Sequence, residues 1–139
     1  MTDNAGEIVF DRLLGEAIHK RYPNLKITYC VRGGPALNDA TRQDAEEAGI
    51  APPFALMDNG TEISGTDLRR CSEECRRAVE CADVILSKGQ ANVETLLGCG
   101  YNVYYAFLCK CPRFEGLFHG AHLEPKFCNE RRLTFPANS

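Results

Sequence analysis

The sequence predicts an α/β fold: a three-layer, doubly wound and mostly parallel sheet with helices on both faces. Three observations lead there. Short apolar runs with strand spacing alternate with runs of helical spacing along most of the chain, and such alternation builds a parallel sheet covered on both sides. A length of 139 residues suits one domain, assigned to 1–139, with enough chain to bury a core. Hydrophobic content of 44% and charged content of 25% describe an ordinary globular protein.

Residues 7–22 place Ile8, Val9, Leu13, Leu14, Ala17 and Ile18 on a helical stripe that Pro23-Asn24 stops. Residues 25–31 read as a strand, with Ile27, Tyr29 and Val31 alternating against Lys26 and Thr28 before Arg32-Gly33-Gly34-Pro35 breaks it. A second helix is expected from Asn38-Asp39 to Ala48, with Gly49 as its stop. Residues 54–57 form a short apolar strand, followed by the turn Asp58-Asn59-Gly60. A third helix spans 66–81, where Glu73 and Arg77 have favourable four-residue charge spacing. Then come a strand at 82–86, the loop Ser87-Lys88-Gly89-Gln90, a helix at 91–97 and a strand at 102–108. Beyond Pro112, Phe114, Leu117, Phe118 and Phe127 mark packing without a clear period.

The net charge of -3, from 16 basic and 19 acidic side chains, argues against a general nucleic-acid binder. No apolar run approaches the ~20 residues of a membrane span, and no secretory pattern opens the chain. These features point to a cytoplasmic protein with neither nucleic acid nor membrane as partner. The eight cysteines include no C-x-x-C pair, which argues against structural zinc. Without a secretion signal a disulfide framework is not expected, and most are read as small buried hydrophobes.

Ligands of a parallel sheet sit beyond the carboxyl ends of its strands. Asn38-Asp39, Asp58-Asn59 and Ser87-Lys88 each follow a strand and would collect on that edge. Asp3-Asn4 would join them if a strand preceded it, yet only Met1 and Thr2 do, so the chain reads as an N-terminally truncated fragment. Asp3, Asn4 and Asp39 offer three oxygen ligands and two negative charges, a half-shell for a divalent cation that keeps waters and takes a substrate phosphate. The plain alternative for each pair is a helix cap. Lys88, between a strand and Gly89, is placed to meet a phosphoryl oxygen, with the Ser87 hydroxyl and Gly89 amide beside it; the alternative is a solvated loop lysine. Arg32, with Gly33-Gly34, is a further anion contact or a bare turn. Asp58 is read as a turn residue, and His19, His119 and His122 as surface or packing residues.

Thr2-Asp3-Asn4-Ala5-Gly6-Glu7-Ile8-Val9-Phe10-Asp11, then Val31-Arg32-Gly33-Gly34-Pro35 and Leu37-Asn38-Asp39-Ala40-Thr41, resemble the damage-control phosphatase family, long filed as domain of unknown function eighty-nine. Asp58-Asn59-Gly60, Gly65-Thr66, the segment from Ile85 to Leu96, Tyr104 to Cys111, and Asn129-Glu130-Arg131-Arg132 continue the resemblance in order. It implies an α/β metal-binding domain that hydrolyses phosphate monoesters of small metabolites, such as sugar phosphates or phosphopantetheine-like compounds. Asp3, Asn4 and Asp39 match the family's metal ligands, Lys88 its phosphate contact, and Asp3, Asp39 and Lys88 its catalytic set. Manganese, magnesium, cobalt and nickel all suit such oxygen ligands.

Family members carry a helical N-terminal domain and a strand ahead of the first motif. Neither precedes it here, so a separate helical domain or self-association is the expected partner, and an unpaired sheet edge with bare apolar surface is expected. A catalytically silent domain that binds metal or a partner is the alternative function. Carboxyl methyl transfer, proposed for eukaryotic relatives, ranks last because no glycine-rich adenosyl-methionine loop follows an early strand.

Overall fold

Side-chain alternation on the first strand, β1 (Thr28–Val31), divides the molecule into two cores. The computed structural model describes residues 1–133; the 1–139 assignment therefore extends past them. Tyr29 and Val31 join Ile8, Ala40, Ala45 and Ile50 on one face of the sheet. Cys30 turns to the other face, toward Met57, Val79, Ile85, Val93, Tyr105 and Phe114. Helices α1 (Ile8–Arg21) and α2 (Arg42–Glu47) cover the first face, and α3 (Glu73–Cys81), α4 (Gln90–Leu96) and α5 (Pro112–Leu117) the second. The β1–β2 pair is thus covered from both sides, as the alternation predicts.

Strand β2 (Ala55–Asp58) runs parallel to β1, with Thr28 opposite Ala55 and Val31 opposite Asp58. Strand β3 (Ile85–Lys88) runs parallel to β4 (Val103–Leu108), and β5 (Pro125–Asn129) closes that side antiparallel to β4. Met1 and Thr2 lie between the two sets. The Met1 ammonium donates to the Leu86 carbonyl at 2.8 Å, and the Lys88 amide donates to the Met1 carbonyl at 3.1 Å. On the other side the Thr2 amide donates to the Cys30 carbonyl at 3.0 Å. The two residues therefore bridge the strand edges only at their carboxyl ends. Toward the strand starts lies a groove of about 650 Å³, walled by residues such as Leu14, Ile18, Ile27, Val79 and Val84.

Several boundaries differ from expectation. Helix α2 starts at Thr41, whose hydroxyl and amide form a reciprocal capping box with Asp44; Asn38 and Asp39 stand outside it. Residues 66–72 are not helical, and α3 begins where the Ser72 hydroxyl accepts the Cys75 amide at 3.1 Å. Its Glu73–Arg77 pair is present. Ser87 and Lys88 belong to β3 rather than to a loop. The tail folds as α5 and β5, with Phe107, Phe114 and Phe118 in mutual ring contact. Of the cysteines, Cys30, Cys71, Cys75 and Cys109 are buried, while Cys81 is exposed and Cys99, Cys111 and Cys128 are intermediate.

The inner face of α1 departs most from its apolar stripe. Its buried residues are Ile8, Asp11 and Gly15, whereas Val9, Leu13 and Leu14 are exposed. Gly15 is there because Tyr29 fills the space: a β-carbon would overlap the phenol oxygen, which itself donates to the Asp11 carbonyl at 3.0 Å. Overpacking of ~1–3 kcal/mol outweighs the ~1 kcal/mol that alanine gains over glycine in a helix. Gly15→Ala is therefore expected to lower the urea midpoint. Adding Tyr29→Phe should make the double variant less destabilised than the sum of the single changes, since the overlapping oxygen is gone.

Candidate metal and phosphate site

The first motif reaches the second through the backbone. The Ala5 amide donates to the Asn38 carbonyl at 2.9 Å and the Ala40 amide to the Asp3 carbonyl at 2.7 Å, an antiparallel bridge centred on Asn4 and Asp39. Asp3, Asn4 and Asp39 are brought side by side as the oxygen pattern requires. Asp39 is buried, and its Oδ2 accepts from Arg32 Nε at 2.7 Å and from the Ser64 hydroxyl at 3.1 Å. Asn4 Nδ2 donates to Asp3 Oδ2 at 3.2 Å and to Glu7 Oε1 at 3.0 Å.

Charge is unevenly settled here. Burial, followed by the Asp39 and Glu7 carboxylates, raises the Asp3 carboxyl above the usual aspartate range. Glu7 is held low, first by its hydrogen bond from Lys88 and then by Asn4. Lys88 Nζ donates to Glu7 Oε2 at 2.7 Å and lies 2.8 Å from Asp11 Oδ1. Burial opposes the Lys88 charge, but the Asp11 and Glu7 carboxylates outweigh it and hold the ammonium above the ordinary lysine range.

Asp3, Glu7, Lys88 and Gly89 form one wall of a pocket of about 420 Å³, faced by Lys110 and Phe127. Gly89, at φ 84°, sits against the Asp3 carboxylate, and any β-carbon there would overlap it. Its amide is taken by the Ala106 carbonyl at 3.0 Å. So Gly89 makes room for a carboxylate instead of donating to an anion. Ser87 is fully buried, off the pocket wall, and its Oγ has no hydrogen-bond partner. Arg32 is also interior, its side chain 1% exposed, with Nη1 donating to Thr66 Oγ1 at 3.3 Å and Nη2 to Asn92 Oδ1 at 3.2 Å. Of the expected phosphate contacts only the Lys88 side chain faces the pocket with a hydrogen to spare, since its ammonium has three.

Sequence reasoning missed Glu7, Asp11 and Asn92. The four-residue spacing of Glu7 and Asp11 was the available signal, because it puts both carboxylates on one helical face beneath Lys88. Asn92 Nδ2 donates to the Thr2 carbonyl at 3.0 Å and the Lys88 carbonyl at 2.7 Å, joining segments that no local spacing connects.

The donor set fits a hard cation: among the described residues the Asp3 carboxylate, the Asn4 amide oxygen and Asp39 Oδ1 carry no hydrogen bond from a positive group. Among the described residues no three His, Cys, Asp or Glu side chains converge on one point. The amide oxygen and ligands from outside the protein must therefore complete a coordination shell.

Replacing Arg32 tests this framework. Arg32→Met strands Asp39 as an unpaired buried charge and is expected to cost about 3–5 kcal/mol in urea unfolding. Arg32→Lys should not restore the loss, since one ammonium lacks the planar fork that meets three separate acceptors.

Comparison with known proteins gives the family. The description "damage-control phosphatase ARMT1-like domain" matches residues 1–123. A damage-control phosphatase of Pyrococcus horikoshii is 37% identical over 113 residues, which is 81% of this chain and 39% of that protein. A damage-control phosphatase of Archaeoglobus fulgidus is 43% identical over 97 residues, 69% of this chain and 33% of that one. A crystal structure of a DUF89 family protein from Pyrococcus horikoshii superposes with a TM-score of 0.87 at 32% identity, covering 93% of this chain and 45% of its own. The chain thus spans less than half the length of these relatives, and within that span it belongs to the damage-control phosphatase ARMT1-like family.

Proposed function

We propose that this chain carries the metal- and phosphate-binding part of a phosphatase that hydrolyses phosphate monoesters of small metabolites, sugar phosphates or phosphopantetheine-like compounds among them. One observation carries the reading: the Asn4–Asp39 bridge sets three oxygen donors beside a lysine whose ammonium opens on a pocket. The names of the relatives support the reaction class.

Asp3, Asn4 and Asp39 would hold a divalent cation, manganese, magnesium, cobalt or nickel. Bound there, it would supply Lewis-acid polarisation of a phosphoryl oxygen. Lys88 contributes a fixed positive charge, aimed by Glu7 and Asp11 so that its remaining hydrogen meets a phosphoryl oxygen without prior reorganisation. Gly89 lets the Asp3 carboxylate approach β3 closely, and Arg32 fixes which Asp39 oxygen stays available. A helical domain supplied by the same or another chain, or a second copy, would complete the pocket in the assembled enzyme.

Two measurements test this. Manganese at a hundredfold excess over its Kd should stabilise the folded chain by about 2.7 kcal/mol, and Asp39→Asn should abolish that shift. Metal-dependent hydrolysis of p-nitrophenyl phosphate should fall about 100-fold or more in Asp3→Ala and Lys88→Ala. Wild-type turnover in Asp39→Asn would remove Asp39 from the site. A thermal shift without turnover in the wild type would mark this chain as the binding part alone.

A further inference from the structure

Two thiols meet at the groove beside the bridging residues Met1 and Thr2. Cys30 on β1 and Cys75 on α3 place their sulfurs 4.0 Å apart, within hydrogen-bond contact, and both side chains line the groove of about 650 Å³. Neither coordinates anything or serves the pocket at the opposite strand ends. From this geometry we infer that Cys30 and Cys75 form a reactive dithiol, a modification site that closes to a disulfide when a peroxide-class oxidant enters the groove.

The contact is short enough for bond formation with modest movement. A disulfide needs about 2.05 Å between sulfurs, so the two must approach by roughly 2 Å. The groove provides slack on one side, where a fully packed core would resist. The sulfurs are also chemically unequal. A hydrogen bond from Cys75 holds the Cys30 thiol below the usual range, against its burial, and the N-terminal ammonium and Arg32 favour its thiolate further. That same bond, then burial, raises Cys75. Cys30 is therefore the nucleophile.

The Cys30 thiolate attacks one peroxide oxygen, the O–O bond breaks, and the departing hydroxide leaves as water after taking a proton. Cys75 sulfur then attacks the Cys30 sulfenic acid and displaces its hydroxyl, which leaves as the second water with the Cys75 proton. Two thiols and one peroxide become one disulfide and two waters. The Cys30 carbonyl accepts both the Thr2 amide, at 3.0 Å, and the Thr2 hydroxyl, at 3.1 Å. The new bond would thus tie α3 to the strand position that seats the residue before Asp3.

The test treats the full chain with hydrogen peroxide, blocks remaining thiols after unfolding, and maps the peptides without reduction. A Cys30–Cys75 cross-link should form, two of the eight thiols should disappear together, and dithiothreitol should restore them. Cys71→Ser in a parallel sample removes the neighbouring thiol that shares a peptide with Cys75 and should leave the cross-link intact. Cys30→Ala and Cys75→Ser should each abolish it. A Cys71–Cys75 bond in the wild type, or Cys30 and Cys75 both still alkylated when exposed Cys81 is fully oxidised, would overturn the assignment.

Discussion

The Arg32 guanidinium is the constraint on which the site depends. Its side chain and that of Asp39 are 1% and 4% exposed, and burying such charges costs several kcal/mol each unless every nitrogen finds a partner. Arg32 meets that condition by spreading its three nitrogens over Asp39, Thr66 and Asn92. Asn92 passes the constraint on, holding the Thr2 and Lys88 carbonyls with one amide nitrogen. A single polar network therefore fixes the first motif, the second motif and the end of β3. Removing any member leaves the others buried and unsatisfied, which is why such networks are rigid when complete.

The charge around that network does not balance. Among the described residues Asp39 pairs with Arg32, and Glu7 and Asp11 share Lys88, whereas Asp3 has no ion pair and feels Lys110 and Arg32 only at a distance. Asp3 bears most of the imbalance, since folding raises its pKa above the unfolded value. A carboxyl shifted upward binds a proton more tightly in the folded state, so its contribution to stability falls as pH rises through the interval between the two pKa values. At neutral pH an ionised Asp3 is thus a cost to the metal-free fold. A cation at the three oxygen donors would convert that cost into binding energy, which links the electrostatics to the proposed chemistry.

Parallel topology gathers strand ends on one edge, which made the placing of Lys88 at the end of β3 legible, whereas Asn4 and Asp39 meet on a bridge outside the named strands. The direction in which a side chain points was not legible. Arg32 reads as an exposed anion contact because it precedes two glycines, yet its partner Asn92 stands sixty residues away. Gly89 reads as an amide donor at a helix start, while the ladder with Ala106 already uses that amide. Helix α1 misleads for the same reason: Val9, Leu13 and Leu14 of its apolar stripe stay outside, while Gly15 against the Tyr29 ring and Asp11 against the Lys88 ammonium take the inner face. Local chemistry was better read where partners are close in sequence, as in the Glu73–Arg77 pair.

The same alternation that sorts the cores shapes the pocket. On β4, Val103, Tyr105 and Phe107 are buried against α5 and its neighbours, which leaves Ala106 and Leu108 on the face that borders the pocket. Register places Phe127 opposite Ala106 and Pro125 opposite Leu108, so carbon lines much of that side of the pocket beside Lys110 and Lys126, with Phe127 69% exposed and stacked on Tyr104. The opposing wall is Asp3, Glu7 and Lys88. A pocket with a charged wall and a carbon wall suits a ligand that is ionic at one end and not at the other. A phosphate monoester has that division, and inorganic phosphate alone would leave the carbon wall uncovered. The strand order that sets the proposed metal-binding edge would therefore also supply the surface against which the organic part of such a substrate could rest.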